Sequence, residues 1–412
     1  MTNINYKFID IFVRIVIFTF YTFILFPYIK IFNISTDTQP YALVFGIILL
    51  LIFITHIRQM PLEIILLLIL LLMSILMIFA GEINFTAIRS VSNYASLFII
   101  SLSTYLSLKY LKIFPLYILK LAIIIWFIVG FVQTFIDNNF MVFLVGRGYD
   151  SLDTGRGVVG LAPEPTFYGL MCIFLLLLTM MQRDKLVFFQ VLLYIQIILF
   201  SKSSMSILFL FILWFYYVLI YPRVFKIIVP ITVLVFIVLY FESSYIDAIN
   251  MSDYYNLRIY RIITIFITDP FLIIKLDESI NDRIFHLYFS VYGFLNNYLF
   301  PNGFSSWPIY LENIIPYYSE EAWGLSISDR IMSGYGAAIY ELGFMGLIVP
   351  VSITSSIYKC FKNNKKKMWL NIFYINTIML SAIQLALPII SFMVGYMLYL
   401  YNINNNAEEN NK

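Results

Sequence analysis

Charge is scarce in this chain. Only 12% of its 412 residues are Asp, Glu, Lys or Arg, and the formal net charge is +3. An ordinary soluble domain carries about twice that charged fraction. So few charges could not cover the surface of a soluble globule, and disorder is excluded for the same reason. A net charge of +3 is too small to point to nucleic acid. The two cysteines, Cys172 and Cys360, lie in or beside apolar runs and form neither a disulfide framework nor a metal spacing. What the chain has instead is hydrophobicity: 61% apolar residues, 19% aromatic, and a mean hydropathy of +0.88. This composition selects a multi-spanning membrane protein.

The apolar runs predict spans at 11–32, 41–56, 62–80, 91–108, 113–135, 165–182, 186–200, 204–221, 224–242 and 333–358. A last stretch, 368–402, is too long for one span and suits two short ones broken near Gln384 to Pro388. The expectation is therefore all-α, with about twelve transmembrane helices. Uninterrupted apolar runs argue against a barrel, whose strands alternate. Residues 262–274 are apolar but short and carry Asp269 and Pro270, so an interfacial or buried helix is expected there. The first span reads as an anchor, not a cleaved signal peptide. Residues 1–402 form one integral membrane domain, and the Asn-rich 403–412 reads as a disordered cytoplasmic tail.

Lys and Arg orient the spans. With a cytoplasmic N-terminus, 16 of 26 fall inside, among them the Lys365 to Lys367 cluster, and both termini are cytoplasmic. The outside then has two large loops, 137–163 and 243–332, the second lying between spans 9 and 10. Seven of the ten outside basic residues are arginines, and six of those lie in these loops.

Three stretches could carry chemistry. In GRGYDSLDTGRGVVGLAPEPTFYGL, Arg147 and Arg156 are flanked by glycines. Glycine allows close backbone approach, and Arg offers a fork for phosphate oxygens. Glu164 stands between two prolines at a helix start, where the dipole favours its charged form. The plainer alternative is a helix cap beside a solvated loop, and spacing alone does not choose. In NDRIFHLYFSVYGFLNNYLFPNGFSSWPIY, Arg283 opens an amphipathic helix that Pro301, Gly303 and Pro308 end, with His286 one turn on. His286 is expected to be an interfacial aromatic. Arg258 and Arg261 share a helical face, fit for either substrate or headgroups. In DRIMSGYGAAIYELGFMGLIVP, Glu341 lies in the outer part of a span among four glycines. A structural pairing, with an Arg, is the expected role. Lys202, among serines at an outer turn, is a further possible phosphate contact. Loop aromatics such as Tyr288, Tyr292, Trp307, Tyr317 and Tyr318 suit sugar rings, but equally an interfacial belt. No metal cluster is present in the sequence, and no cofactor is implied.

These stretches, in this order, resemble the O-antigen polymerases (Wzy-like proteins) and their relatives the O-antigen ligases. GRGVVGLAPEPTFYGL resembles the family's Arg- and Gly-bearing segment before a Glu-Pro-Ser/Thr helix start. DRIFHLYFSVYGF followed by FPNGF resembles its loop helix and Gly-x-Gly-like turn, although Ser305 stands where the second glycine would be. SGYGAAIYELGFMGLIVP resembles the helix after that loop. The resemblance implies a GT-C-like architecture in a bacterial inner membrane. It also implies a metal-independent glycosyltransferase acting on undecaprenyl-diphosphate-linked oligosaccharide repeat units at the outer face. The product would be O-antigen, capsule or a related polysaccharide. Partners would be membrane lipids, a chain-length regulator and a flippase. It implies Glu164 and Arg283 as catalytic, with Arg147, Arg156, Arg258 and Arg261 on the diphosphate and Glu341, His286 and Lys202 in support. A ligase is the nearest alternative. Ligase relatives rely on a His late in the large loop, whereas His286 is early, which favours a polymerase. A transporter of lipid-linked sugars is the other alternative, and it would need charges deep in many spans.

Overall fold

The computed structural model describes residues 2–32, 36–57, 60–80, 83–145, 157–182, 186–221, 274–275, 278–325, 327–381 and 383–410. Among these residues all regular secondary structure is helical, with no strand. In order the helices are α1 (Thr2–Leu25), α2 (Tyr41–Phe53), α3 (Leu62–Ala80), α4 (Phe85–Leu111), α5 (Leu116–Phe135), α6 (Pro165–Met181) and α7 (Val187–Ile195). A π-helical turn, Gln196–Ser201, joins α7 to α8 (Ser204–Ile220). Then follow α9 (Glu278–Asn296), α10 (Ser306–Ile314), α11 (Gly334–Leu342), α12 (Ile348–Phe361), α13 (Lys365–Ser381) and α14 (Pro388–Asn410). Among the described residues four stretches are long and apolar enough to cross a membrane: Leu62–Phe79, Phe85–Leu111, Leu116–Phe135 and Gly334–Phe361. Shorter apolar helices accompany them at α2, α6, α7 with its π turn, and α8.

Local chemistry sets several boundaries. Helix α1 stops at Leu25, short of the expected 32, because Pro27 disfavours helical backbone at the residue before it. Helix α4 starts at Phe85, six residues earlier than expected, because the Asn84 side chain accepts from Ala87 N at 2.9 Å and caps it. Residues 383–387 lie in the break between α13 and α14, with Pro388 opening α14. Helix α14 runs on to Asn410, through the stretch expected to be a disordered tail. Extending an anchored helix avoids the nucleation step that makes isolated helices costly. The expected span 224–242 and the expected short helix 262–274 lie outside the described residues, apart from Ile274.

One large core runs through the bundle, from Ile17 and Phe20 on α1 through Trp126 on α5 and Phe174 on α6 to Tyr374 and Met393 on α13 and α14. Helices α4 and α14 pack so closely that a Cβ on Gly395 would lie 2.3 Å from the Ser101 carbonyl oxygen. A second, smaller core joins α9, α10 and the residues Ala322, Leu325 and Ile331 to α11 through Phe289, Trp307, Leu311 and Tyr340. It forms a cap on the bundle.

The two ends of the bundle differ. At one end Lys359 pairs with Glu63 at 2.7 Å, joining α12 to the start of α3, and Ser355 Oγ donates to the same carboxylate. Lys362 reaches Asn405, and Tyr110 donates to Asp10. At the other end are the loop after α1, the start of α4, the cap and the α13–α14 break. Glu63 is almost fully buried, so deleting its partner leaves an uncompensated charge. Lys359→Ala is expected to destabilise the protein by about 3 kcal/mol. Thermal unfolding of the detergent-solubilised variant against wild type checks this, and an unchanged midpoint contradicts it.

Candidate functional site

Helix α11 is interrupted where the sequence clusters its glycines. Gly343 has φ +61°, and a Cβ there would lie 2.6 Å from Leu299 O and Pro301 N. Only glycine satisfies both the conformation and the approach. The segment packed against it, Asn297–Gly303, follows α9. Asn302 N donates to Tyr340 O at 3.0 Å and Gly303 N donates to Glu341 O at 3.2 Å. Phe344 N donates back to Leu299 O at 2.9 Å. The carbonyls freed by the break are thereby rebonded, as an apolar setting requires.

Glu341 sits two residues before that break. Its two carboxylate oxygens accept from Ser90 Oγ at 2.9 Å and Tyr94 Oη at 2.7 Å, both on one face of α4. The expected arginine partner is thus replaced by two hydroxyls. The arginine nearest in the chain of contacts, Arg89, instead donates to the Asp329 carbonyl at 2.7 Å.

Glu341 lines a cavity of about 350 Å³. Its walls come from the loop before α2 (Asp37), the start of α4 (Arg89, Ser90), the segment before α11 (Asp329, Arg330) and the α13–α14 break (Gln384). Arg330 donates to Asp37 at 2.6 Å, across 293 positions of sequence. Such a pair pre-orients the guanidinium. The charged lining is two arginines facing three carboxylates, so the cavity is not a plain anion trap. It holds groups able to stabilise developing negative charge beside groups able to take a proton.

The other candidates are placed as follows. Glu164 is the N-cap residue of α6 with Pro165 at the first helical position, as expected, but its side chain makes no capping hydrogen bond. It lies outside the cavity. The segment leading to it is organised by Gln133, which donates to Gly160 O at 2.9 Å and accepts from Gly160 N at 2.7 Å. Gly157 lies against the backbone of Phe200 and Ser201, where a Cβ would meet both carbonyl oxygens at 2.2 Å. This glycine serves packing against the π turn. Lys202, exposed and in the left-handed region at φ 44°, closes that turn. Its neighbour Ser203 hydrogen-bonds Thr166 at 3.1 Å, so Lys202 and Glu164 belong to one corner. The loop after α1 links this corner to the cavity: Tyr28 packs on Phe167, and Asp37 holds Arg330.

Arg283 and His286 are both buried on α9, in the cap. His286 is fully buried and not interfacial. Its ring stacks on Trp307 with centroids 5.5 Å apart, and its Nε2 lies 3.3 Å from Asp282. Trp307 in turn meets the Tyr340 ring edge-on at 5.1 Å. The cap core therefore backs directly onto the helix that carries Glu341. Arg147, Arg156, Arg258 and Arg261 lie outside the described residues. Among the described residues no group of His, Cys, Asp or Glu could hold a metal ion. Sequence reasoning missed Arg89, Arg330 and Asp37. The only signal for the arginines was their place among the seven outside arginines.

Ser305 stands where the resembled turn has its second glycine. It takes φ +65°, close to Gly303 at +81°. Its hydroxyl donates to Asn84 Oδ1 at 2.8 Å, tying the cap to the α4 cap residue. A β-branched side chain tolerates this conformation poorly. Ser305→Val is expected to cost about 1–3 kcal/mol, and Ser305→Gly less. Unfolding midpoints of the two variants test this, and equal midpoints would argue against a strained turn.

No protein-family model matches this chain, and no curated protein matches it either.

Proposed function

We propose that this chain is a polytopic glycosyltransferase of the bacterial inner membrane, with about twelve spans and both termini cytoplasmic. It polymerises undecaprenyl-diphosphate-linked oligosaccharide repeat units into a surface polysaccharide at the outer face. The observation that carries this reading is the cavity where Arg89 and Arg330 meet Glu341 and Asp37. Every segment lining it belongs to a loop or helix end that the distribution of lysines assigns to the outside.

The transfer needs both kinds of group. The acceptor sugar hydroxyl gives its proton to a carboxylate as its oxygen bonds to the donor's anomeric carbon. The bond from that carbon to the diphosphate breaks, and undecaprenyl diphosphate departs with the electron pair. Arg330, held by Asp37, and Arg89 face the departing charge. Glu341 has lone pairs to spare beyond the two hydroxyls it binds, and takes the proton. Glu164 is the rival base, at the same end of the bundle. Arg283 supports the cap behind the site. Arg147, Arg156, Arg258 and Arg261 are further phosphate contacts in this reading, and a flippase and a chain-length regulator are its expected partners.

The test is chromosomal deletion followed by complementation, with the surface polysaccharide resolved by length. Deletion is expected to leave single repeat units, whereas loss of a ligase would leave none on the acceptor and loss of a transporter would leave no exported units. Arg330→Ala is expected to lower polymerisation about 100-fold at normal expression, and Glu341→Gln by a similar factor or more. Full-length polymer from Glu341→Gln, with none from Glu164→Gln, would move the base to Glu164.

A further inference from the structure

The cap carries a second concave site of quite different character. Tyr292 on α9 and Tyr310, Asn313, Ile314, Tyr317 and Tyr318 on α10 and the turn after it line a cleft of about 580 Å³. That size is ordinary for a ligand site, where about 300–1,000 Å³ is usual. None of its lining side chains is charged, in contrast to the arginine–carboxylate cavity. Tyr288 and Tyr292 stack nearly parallel, with centroids 6.0 Å apart and planes within 10°. Tyr317 is 83% exposed. The cleft thus offers flat aromatic faces and hydroxyls without charge.

Two occupants could be asked for by such tyrosines, a lipid headgroup layer or a sugar chain. An interfacial belt keeps each phenol tip in water or among headgroups. Tyr310 does the opposite. Its hydroxyl is buried and has no hydrogen-bond partner among the described residues. Burial pushes this phenol well above its usual range, so it remains a neutral donor. A buried hydroxyl with no protein partner is costly, and a ligand in the cleft would pair with it as the Tyr310 side chain shifts toward the cleft. Sugar rings bring apolar CH faces for the tyrosine rings and hydroxyls for Tyr310 and Asn313.

Position supports the same occupant. The Tyr310 ring packs on Tyr340 with centroids 5.5 Å apart, and the next residue, Glu341, lines the charged cavity. The Tyr310 wall of the cleft therefore packs on the helix that carries the cavity's carboxylate.

We infer that the tyrosine cleft is a subsite for the neutral saccharide portion of the substrate, separate from the charged cavity. The identity of that saccharide as a repeat unit rests on the function proposed above.

The test uses the full-length protein in detergent and, as probe, the oligosaccharide released by mild acid from the undecaprenyl-linked pool of the producing cells. Binding is followed by saturation-transfer NMR and by titration. Wild type is expected to bind, with magnetisation transferred to sugar CH protons. Tyr317→Ala and Tyr292→Ala are expected to weaken binding at least fivefold. Tyr310→Phe keeps the ring and removes only the hydroxyl, and is expected to cost up to about tenfold. No binding by wild type, or wild-type affinity in all three variants with normal elution profiles, overturns the inference. Saccharide binding that depends on the cleft, in a protein whose deletion leaves polymer length unchanged, upholds the subsite and instead overturns the polymerase reading. Loss of polymer on deletion with unaltered binding in the cleft variants does the reverse.

Discussion

A helix in apolar surroundings cannot leave its carbonyls unbonded, and the site is built around one place where that rule is strained. At Gly343 the helix that would continue from α11 into α12 is interrupted. The interruption exists because Asn302 and Gly303 supply the amides that Tyr340 and Glu341 lose. From this follow the position of the cap, the need for glycine at 343, and the presentation of Glu341 to Ser90 and Tyr94. A continuous helix would need none of these contacts.

The charges follow a related logic. Three partly or fully buried charges find partners within the protein. Glu63 has Lys359 and Ser355, Arg330 has Asp37, and Glu341 has two hydroxyls. The first pairing joins α3 to α12 at one end of the bundle. The others gather three chain segments at the opposite end. With only 12% charged residues, each such contact carries weight in deciding which helices are neighbours.

Much of this was readable from residues alone, and the reasons it failed elsewhere are specific. Helix positions follow from apolar runs, and the break before Pro388 from length and proline. The glycine cluster marked Glu341 as a place of close packing. The sequence could not show that Arg330 would find Asp37, because no local pattern links positions 293 apart. Arg89 escaped notice because the apolar run suggested a start at 91, whereas the Asn84 cap begins α4 at Phe85. His286 looked interfacial because its neighbours are aromatic. Those aromatics instead form a core, with Trp307 covering the imidazole.

The segment Asn297–Gly303 is attached on both sides. It leaves α9 directly, and its amides close the end of α11. The cap cannot lift from the bundle without uncapping Tyr340 and Glu341. A displacement of α9 or α10 is therefore transmitted to the carboxylate as a pull on its own backbone. Cap and carboxylate move as parts of one lever, whose fulcrum is the missing side chain of Gly343.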